Sequence, residues 1–330
     1  LYRPARERSL PNLEKILENC LNDTGFDDVS FLALSTGDFS ALKTLFLGTM
    51  DRCEAEQISV SLPSLRVGSI DDDIMRRLAG IRRTGATLAP EAGSQRLRDI
   101  INKGVTEEAL MLHVRKLFEH GWQQVKLYFM IGLPGETQED IEAIVDLCRK
   151  ARDAAGRGMP RLQVTAAISP FVPKSHTPFQ WEKQITPQEY LRRCHLLKSH
   201  FYSKSIEYDY HAPDLSQLEA VFARGDRRLG TVIEEAVKNG ARLDGWDEYF
   251  DYAKWQDAFR KCGVDGDFYT VRGYGEDELL PWDTIDVGVT KKFLKLERKR
   301  AYESKITPDC RHGCAGCGAE RLLREVSCDA

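Results

Sequence analysis

The chain has 330 residues, 42% hydrophobic and 30% charged, with a formal net charge of −4, which suits one large globular domain or two ordinary ones. That balance argues against a strongly basic nucleic-acid binder. No apolar run is long enough to span a membrane, and the N-terminus lacks a signal peptide's apolar core. Nine cysteines in a chain of this length do not form a disulfide scaffold, so a reducing, cytoplasmic setting is expected.

In chain order, short apolar runs alternate with amphipathic segments. Residues 28–35 read as a strand that ends at Thr36, Gly37 and Asp38, with a helix following to about Met50. Residues 57–62 repeat the form and end at Pro63 and Ser64. A helix over 71–83 carries acidic residues in its first turn and basic ones in its last, as the helix dipole favours. Residues 85–89 form a third strand, ending in the Pro-Glu-Ala-Gly-Ser run at 90–94. Thr106 is the expected N-cap of a helix to His120, and Gly121 ends it.

The most informative stretch is 125–137, an apolar strand running into Gly132-Leu-Pro-Gly135, with Glu136 opening an acidic helix to about Ala155. A glycine turn at the carboxyl end of a buried strand is where α/β proteins bind cofactors, because no Cβ keeps a flat ring from the main chain. Glycine there can equally serve only to make the corner. Residues 161–168 give the fifth strand.

Five strands that read as too buried to alternate predict a parallel α/β sheet, with all the polar turns on one rim. Beyond Pro173 the strand rhythm is expected to stop. Helices follow over 187–201, 214–223, 226–239 and 246–261, with Trp246, Tyr249, Phe250, Trp255 and Phe259 as packing residues. The expected division is an α/β core over 1–180, a helical extension over 181–270, and a C-terminal segment over 271–330 with a cysteine-rich tail.

Several phrases occur in an order that resembles the radical S-adenosylmethionine (SAM) superfamily. They are the Tyr-Arg-Pro run at 2–8, Leu-Ser-Thr-Gly-Asp at 34–38, Ser-Leu-Pro-Ser-Leu-Arg at 61–66, Ala-Pro-Glu-Ala-Gly-Ser at 89–94 with Ile-Asn-Lys at 101–103, Ile-Gly-Leu-Pro-Gly at 131–135, and Ser-Pro-Phe-Val-Pro-Lys at 169–174. More narrowly, the chain resembles a bacterial branch whose members often carry a cobalamin-binding-like domain upstream. The resemblance implies a partial (β/α)6, TIM-like barrel of parallel strands that holds S-adenosylmethionine at its carboxyl rim. Ser35, Thr36, Gly37 and Asp38 would take the methionine amino group, an ammonium that suits the Asp38 carboxylate; Asp38 could instead cap the following helix. Ser61, Ser64 and Arg66 would reach the ribose hydroxyls and the carboxylate, and Arg66 could equally make a surface ion pair. Glu91 and Ser94 would serve a ribose hydroxyl or merely cap a helix. Ile131 and Gly132 would pack on the adenine, with backbone groups bonding its edge, and Gly135 would be a further cofactor-binding position.

The family holds a [4Fe–4S] cluster on a Cys-x3-Cys-x2-Cys loop after its first strand, just before the Tyr-Arg-Pro phrase. Here the chain starts at Leu1, so that strand and loop are expected to lie upstream and the chain to be a fragment, inactive by itself. The same spacing does occur at Cys310, Cys314 and Cys317, but after the barrel rather than within it. That cluster is a metal-ligand signal for zinc or an auxiliary iron–sulfur cluster, with Cys328 or His312 as fourth ligand; unligated thiols are the alternative.

The complete protein is thus expected to cleave S-adenosylmethionine reductively to a 5′-deoxyadenosyl radical, with an external electron donor and with cobalamin as an option on the upstream domain. The substrate is unknown, RNA or protein being open. Lys204, His211, Arg224, Arg227 and Arg228 could offer RNA a basic face, though a solvated helix surface is the simpler account. A different class of function is a non-catalytic module that binds S-adenosylmethionine or a nucleotide and serves as a scaffold with a metal-stapled tail. A nicotinamide or flavin enzyme is disfavoured, since Gly132-Leu-Pro-Gly135 lacks the G-x-G-x-x-G spacing.

Overall fold

The structure is a computed structural model that describes residues 6–33, 36–62, 67–68, 72–81, 85–154, 156, 163–201, 205–310 and 312–322. It opens with α1 (Leu10–Thr24), β1 (Asp28–Ser30), α2 (Leu42–Ala55), β2 (Ser59–Ser61) and α3 (Asp72–Ile81). Strands β1 and β2 pair in parallel, Val29 opposite Val60. Phe46, Met50 and Cys53 of α2 and Met75 of α3 are fully or almost fully buried in a small core with Val60 and Leu62.

The larger unit follows: β3 (Ala86–Glu91), α4 (Gln95–Ile100), α5 (Glu107–Glu119), β4 (Gln124–Ile131), α6 (Gln138–Asp153), β5 (Gln163–Pro170), α7 (Pro187–His200) and β6 (Ile206–Tyr210). Strands β3 to β6 form one parallel sheet in that order. Thr106 caps α5 as expected, accepting the Ala109 amide at 3.1 Å. Among the described residues the two sheets are separate, so the parallel α/β architecture stands without a closed barrel.

Two expectations are corrected here. The strand rhythm does not stop at Pro173, because β6 pairs with β5 through Val164–Ile206 to Ile168–Tyr210. Glu207 and Asp209 interrupt its apolar residues, and in isolation that run looks polar. Nor are the strands too buried to alternate. In β4, Val125, Leu127, Phe129 and Ile131 join the main core against α5, α6 and α7, while Lys126, Tyr128 and Met130 between them are only half-buried. The sheet is parallel, as expected, yet its other face is mixed, with Lys126 and Tyr128 beside Met130 on β4.

Helices α8 (Pro213–Arg224), α9 (Leu229–Lys238), α10 (Tyr252–Lys261) and the short α11 (Asp267–Thr270) share a core around Val232, Trp255 and Tyr269. Helix α10 begins at Tyr252, not at 246. Trp246 and Tyr249 lie before it and are exposed (62% and 52%), so they are not the packing residues expected, whereas Trp255 and Phe259 are buried. Arg224 is wholly buried, donating to the carbonyls of Glu182 and Arg272 and lying against the Tyr274 ring, and contributes to no basic face. Last comes α12 (Lys291–Tyr302), whose Ala301 packs with Ala92, Leu133 and Phe171 at the carboxyl ends of β3, β4 and β5. No helix among the described residues is long and apolar enough to cross a membrane.

Candidate functional site at the carboxyl ends of the strands

After β1 the Phe31 amide donates to the Ser61 carbonyl at 3.2 Å, which ties the ends of β1 and β2 together. Thr36 is buried and its hydroxyl donates to the Phe31 carbonyl at 3.2 Å. Thr36–Asp38 is a single 3-10 turn, and the N-cap of α2 is Ala41. Asp38 therefore does not occupy the N-cap position of α2. Ser61, at the end of β2, is exposed. Ser35, Ser64 and Arg66 lie outside the described residues.

The Gly68 amide donates to Nδ1 of His113 on α5 at 3.0 Å. Burial drops the His113 pKa to about 4, with the nearby Lys116 adding to the effect. The folded state then holds a neutral imidazole while the unfolded chain protonates near 6.5. Stability is present in full above about pH 6.5 and falls as pH drops toward 4, by roughly 3 kcal/mol at 1.36 kcal/mol per pKa unit. A His113→Gln variant is expected to lack that part of the acid slope; an unchanged slope between pH 6.5 and 4 in denaturation curves would contradict the account.

The turn after β3 is the most constrained. Glu91 has φ +68°, a left-handed conformation that is costly for a residue with a side chain, and the ladder to β4 is irregular between Leu88 and Glu91. Its carboxylate accepts from Lys103 Nζ at 3.0 Å while remaining about a quarter exposed. The neighbouring Asn102 is also left-handed (φ +51°) and donates to the Thr307 carbonyl at 3.0 Å. The Ile-Asn-Lys phrase thus fixes both Glu91 and the segment after α12.

Ser94 is the N-cap of α4. It accepts the Leu97 amide at 3.1 Å and donates its proton to Asp140 of α6. Asp140 also accepts from Arg96, the Thr137 amide (2.8 Å) and the Thr137 hydroxyl (3.0 Å). Burial pushes the Asp140 carboxyl up, but these donors together hold it below its ordinary value. Its contribution is present above about pH 3.8 and is lost as pH falls through the lower folded pKa. Asp140→Asn, which cannot serve all these donors, is expected to cost about 2–3 kcal/mol at pH 7. The gap from wild type should narrow below about pH 3.8; a constant gap in urea denaturation would refute the assignment.

At the end of β4 the Ile131 carbonyl accepts the Phe171 amide at 2.8 Å, and Ile131 is fully buried. Gly132 has φ +88° and donates its N–H to both oxygens of Glu136 at 3.0 Å. A Cβ on Gly132 would come within 2.9 Å of the Ile185 side chain. The close approach at this glycine is made by Ile185, not left open to a flat ring. Burial raises the Glu136 pKa, opposed by the Gly132 N–H and by Arg193, which also donates to this carboxylate. Gly135 (φ +74°) completes the turn, its carbonyl accepting from Arg96 at 2.8 Å.

Sequence reasoning missed His113, Arg98, Asp140 and the clamping role of Glu136. Two of these left a signal: Glu136, four residues after Gly132 in a glycine turn, and Asp140, three residues after Thr137 in a capping-box pattern.

The C-terminal cysteines are differently placed. Cys317 is buried in a cluster with Trp181, Tyr274 and Trp282, and its carbonyl accepts the Thr290 amide at 2.9 Å. Cys314 is exposed, its sulfur accepting the Gly316 amide at 3.4 Å, and Cys310 is half-buried. The His312 amide donates to the Asp309 carbonyl, and Cys328 lies outside the described residues. Among the described residues no three potential ligands converge on a metal position. The loop is pressed onto the start of α12, where a Cβ on Gly318 would stand 2.6 Å from Thr290.

Against known proteins, the family description "Radical SAM superfamily" matches residues 1–148. An uncharacterized protein of Methanocaldococcus jannaschii is 30% identical over 236 residues, 71% of this chain and 49% of that protein. The tRNA-2-methylthio-N(6)-dimethylallyladenosine synthase of Desulforamulus reducens is 35% identical over 66 residues, 20% of this chain and 14% of that protein. The chain therefore spans at most about half the length of these curated relatives. Among solved structures, an N-terminally deleted Elp3 of Methanocaldococcus infernus aligns with a TM-score of 0.42 at 14% identity, covering 63% of this chain and 56% of that one.

Proposed function

The chain belongs to the radical SAM superfamily, and from that premise we propose that it binds S-adenosylmethionine at the carboxyl rim of its parallel strands and, in the complete protein, takes part in the cofactor's reductive cleavage. The observation that carries this is Glu91. A residue with a side chain is held left-handed at the end of β3 by Lys103 on one side and the anchored turn on the other, with its carboxylate still partly open. Such local cost persists where the surroundings impose it, and it gathers at ligand sites.

Glu91 is suited to accept from a ribose hydroxyl, and Asp38 to accept from an ammonium group. Gly132 contributes shape rather than a free N–H, since Glu136 already holds that donor. The glutamate holds the turn after β4 in its bent form. A [4Fe–4S] cluster, when bound, supplies the electron for cleavage. The described cysteines do not assemble its ligands, and no step through it is assigned to this chain. Zinc or an auxiliary cluster at the C-terminal thiols, and cobalamin in the complete protein, are further parts of the proposal that rest on cysteine spacing and resemblance alone.

The test is anaerobic reconstitution of the complete protein, followed by electron paramagnetic resonance with and without S-adenosylmethionine. A reducible cluster whose spectrum shifts on adding S-adenosylmethionine is the expected result. A spectrum indifferent to it would leave the chain a scaffold or a nucleotide-binding module.

A further inference from the structure

Between α9 and α10 the chain makes two tight turns in succession. The Trp246 amide donates to the Leu243 carbonyl, and the Tyr249 amide to the Trp246 carbonyl, both at 2.9 Å. Such a turn brings its first and fourth residues within about 7 Å, so Leu243, Trp246 and Tyr249 form one strip. All three are more than half exposed, and none joins the core of the helical extension around Val232 and Trp255. Apolar residues scattered singly over a surface need no explanation; three aligned by successive turns, two of them aromatic, make a patch.

The strip is held in place from both ends. Leu243 is left-handed (φ +59°), a costly conformation for a residue with a side chain, which persists where the surroundings impose it. Ala241 before it is buried, and Asp244 accepts from Trp255 Nε1 of α10 at 3.1 Å. On the other side the half-buried Phe250 stacks with Tyr252 at 6.3 Å between ring centroids. The charge is one-sided. Residues 242–251 carry Asp244, Asp247, Glu248 and Asp251 against Arg242. Asp251 meets Lys254 at 3.9 Å, whereas the exposed Asp247 and Glu248 make no ion pair among the described residues.

We propose that the 243–249 turns dock a basic segment of another protein, in which Arg or Lys side chains alternate with apolar ones. Guanidinium and ammonium groups are attracted to the faces of Trp and Tyr rings, and their aliphatic stems cover apolar surface. An apolar side chain of the partner would meet Leu243, a basic stem would lie over Trp246 or Tyr249, and the charged heads would reach Asp247 and Glu248. Nucleic acid and anionic lipid are repelled by these carboxylates. A second copy docked through the same strip would set Asp247 and Glu248 against their own counterparts, like charge facing like. The inference uses none of the residues at the carboxyl rim and stands apart from the proposed function.

Trp246 reports on its own occupancy. The other tryptophans, Trp122, Trp181, Trp255 and Trp282, are buried, so acrylamide quenches Trp246 fluorescence first. The probe is a short peptide of alternating arginine and leucine, with one of alternating glutamate and leucine as control. Saturable protection from acrylamide is expected with the basic peptide and none with the acidic one. Asp247→Asn combined with Glu248→Gln should weaken binding at least about threefold. Trp246→Ala, followed by calorimetry, should weaken it about tenfold or more, as an exposed aromatic anchor would. These side chains are exposed, so the variants are expected to melt with the wild type. Equal protection by both peptides, none by the basic one, or variants that bind like wild type would overturn the proposal. Protection that grows with protein concentration in the absence of peptide would also overturn it, and would assign the strip to a second copy of the chain.

Discussion

Replacing Gly93 by alanine is expected to destabilise the chain by about 3–5 kcal/mol, at or beyond the upper end of ordinary overpacking. A Cβ there would stand 2.3 Å from the Ile144 nitrogen, 2.6 Å from the Ala143 carbonyl carbon and 2.7 Å from the Asp140 oxygen. All three are backbone atoms of α6 and cannot rotate away. The β3–α4 turn would have to lift off the helix, breaking the Ser94–Asp140 bond and disturbing Glu91. Gly48 provides the contrast. It lies exposed within α2 with nothing within 4 Å of its would-be Cβ, and Gly48→Ala is expected to stabilise by about 0.5–1 kcal/mol. Thermal denaturation of the two variants checks the pair. Equal melting temperatures would show that the turn does not seat on α6 as described.

Substituting Arg98 should be nearly as damaging. Its side chain is completely buried and donates to the carbonyls of Ala92 (3.0 Å), Gly93 (2.8 Å) and Val105 (3.0 Å), and to the Gln95 side chain at 3.1 Å. Burial lowers its pKa, with Glu107, Asp99 and Glu108 acting in the opposite direction. Arg98→Met keeps most of the stem but strips its donors from the Ala92 and Gly93 carbonyls and leaves the Val105 carbonyl only the longer bond from Gln95 (3.5 Å), at about 1–3 kcal/mol for each group left buried and unsatisfied. We expect a loss of about 3–5 kcal/mol, together with weaker binding of any ligand that depends on Glu91. Arg98→Lys should recover little, because an ammonium cannot span the fork that reaches all four acceptors. Urea denaturation showing Arg98→Lys as stable as wild type would contradict this role.

These two residues also mark the limit of what the chain's sequence discloses. The strand over 125–130, the Thr106 cap and the parallel pairing rest on local signals, namely apolar runs, a capping hydroxyl and strand–helix alternation. Gly93 and Arg98 carry no local signal, since their importance arises only when α6 crosses the turn and closes it from water. Strand β6 was hidden for a related reason: Glu207 and Asp209 face away from the core while Ile206 packs into it. Trp246 and Tyr249 misled in the opposite sense, because aromatic residues at helical spacing need not lie in a helix. At the rim the polar turns were legible as positions, but not which groups in them were already engaged. Gly132 is the clearest case, its N–H held by Glu136 and its open side filled by Ile185.

Equilibrium dialysis of labelled S-adenosylmethionine against the chain, with Asp38→Ala and Glu91→Ala beside it, tests the central claim most directly. Loss of a charge-assisted contact of about 1.5–3 kcal/mol predicts saturable binding that weakens at least tenfold in each variant. No saturable binding by the wild-type chain, or binding that neither substitution alters, would contradict it.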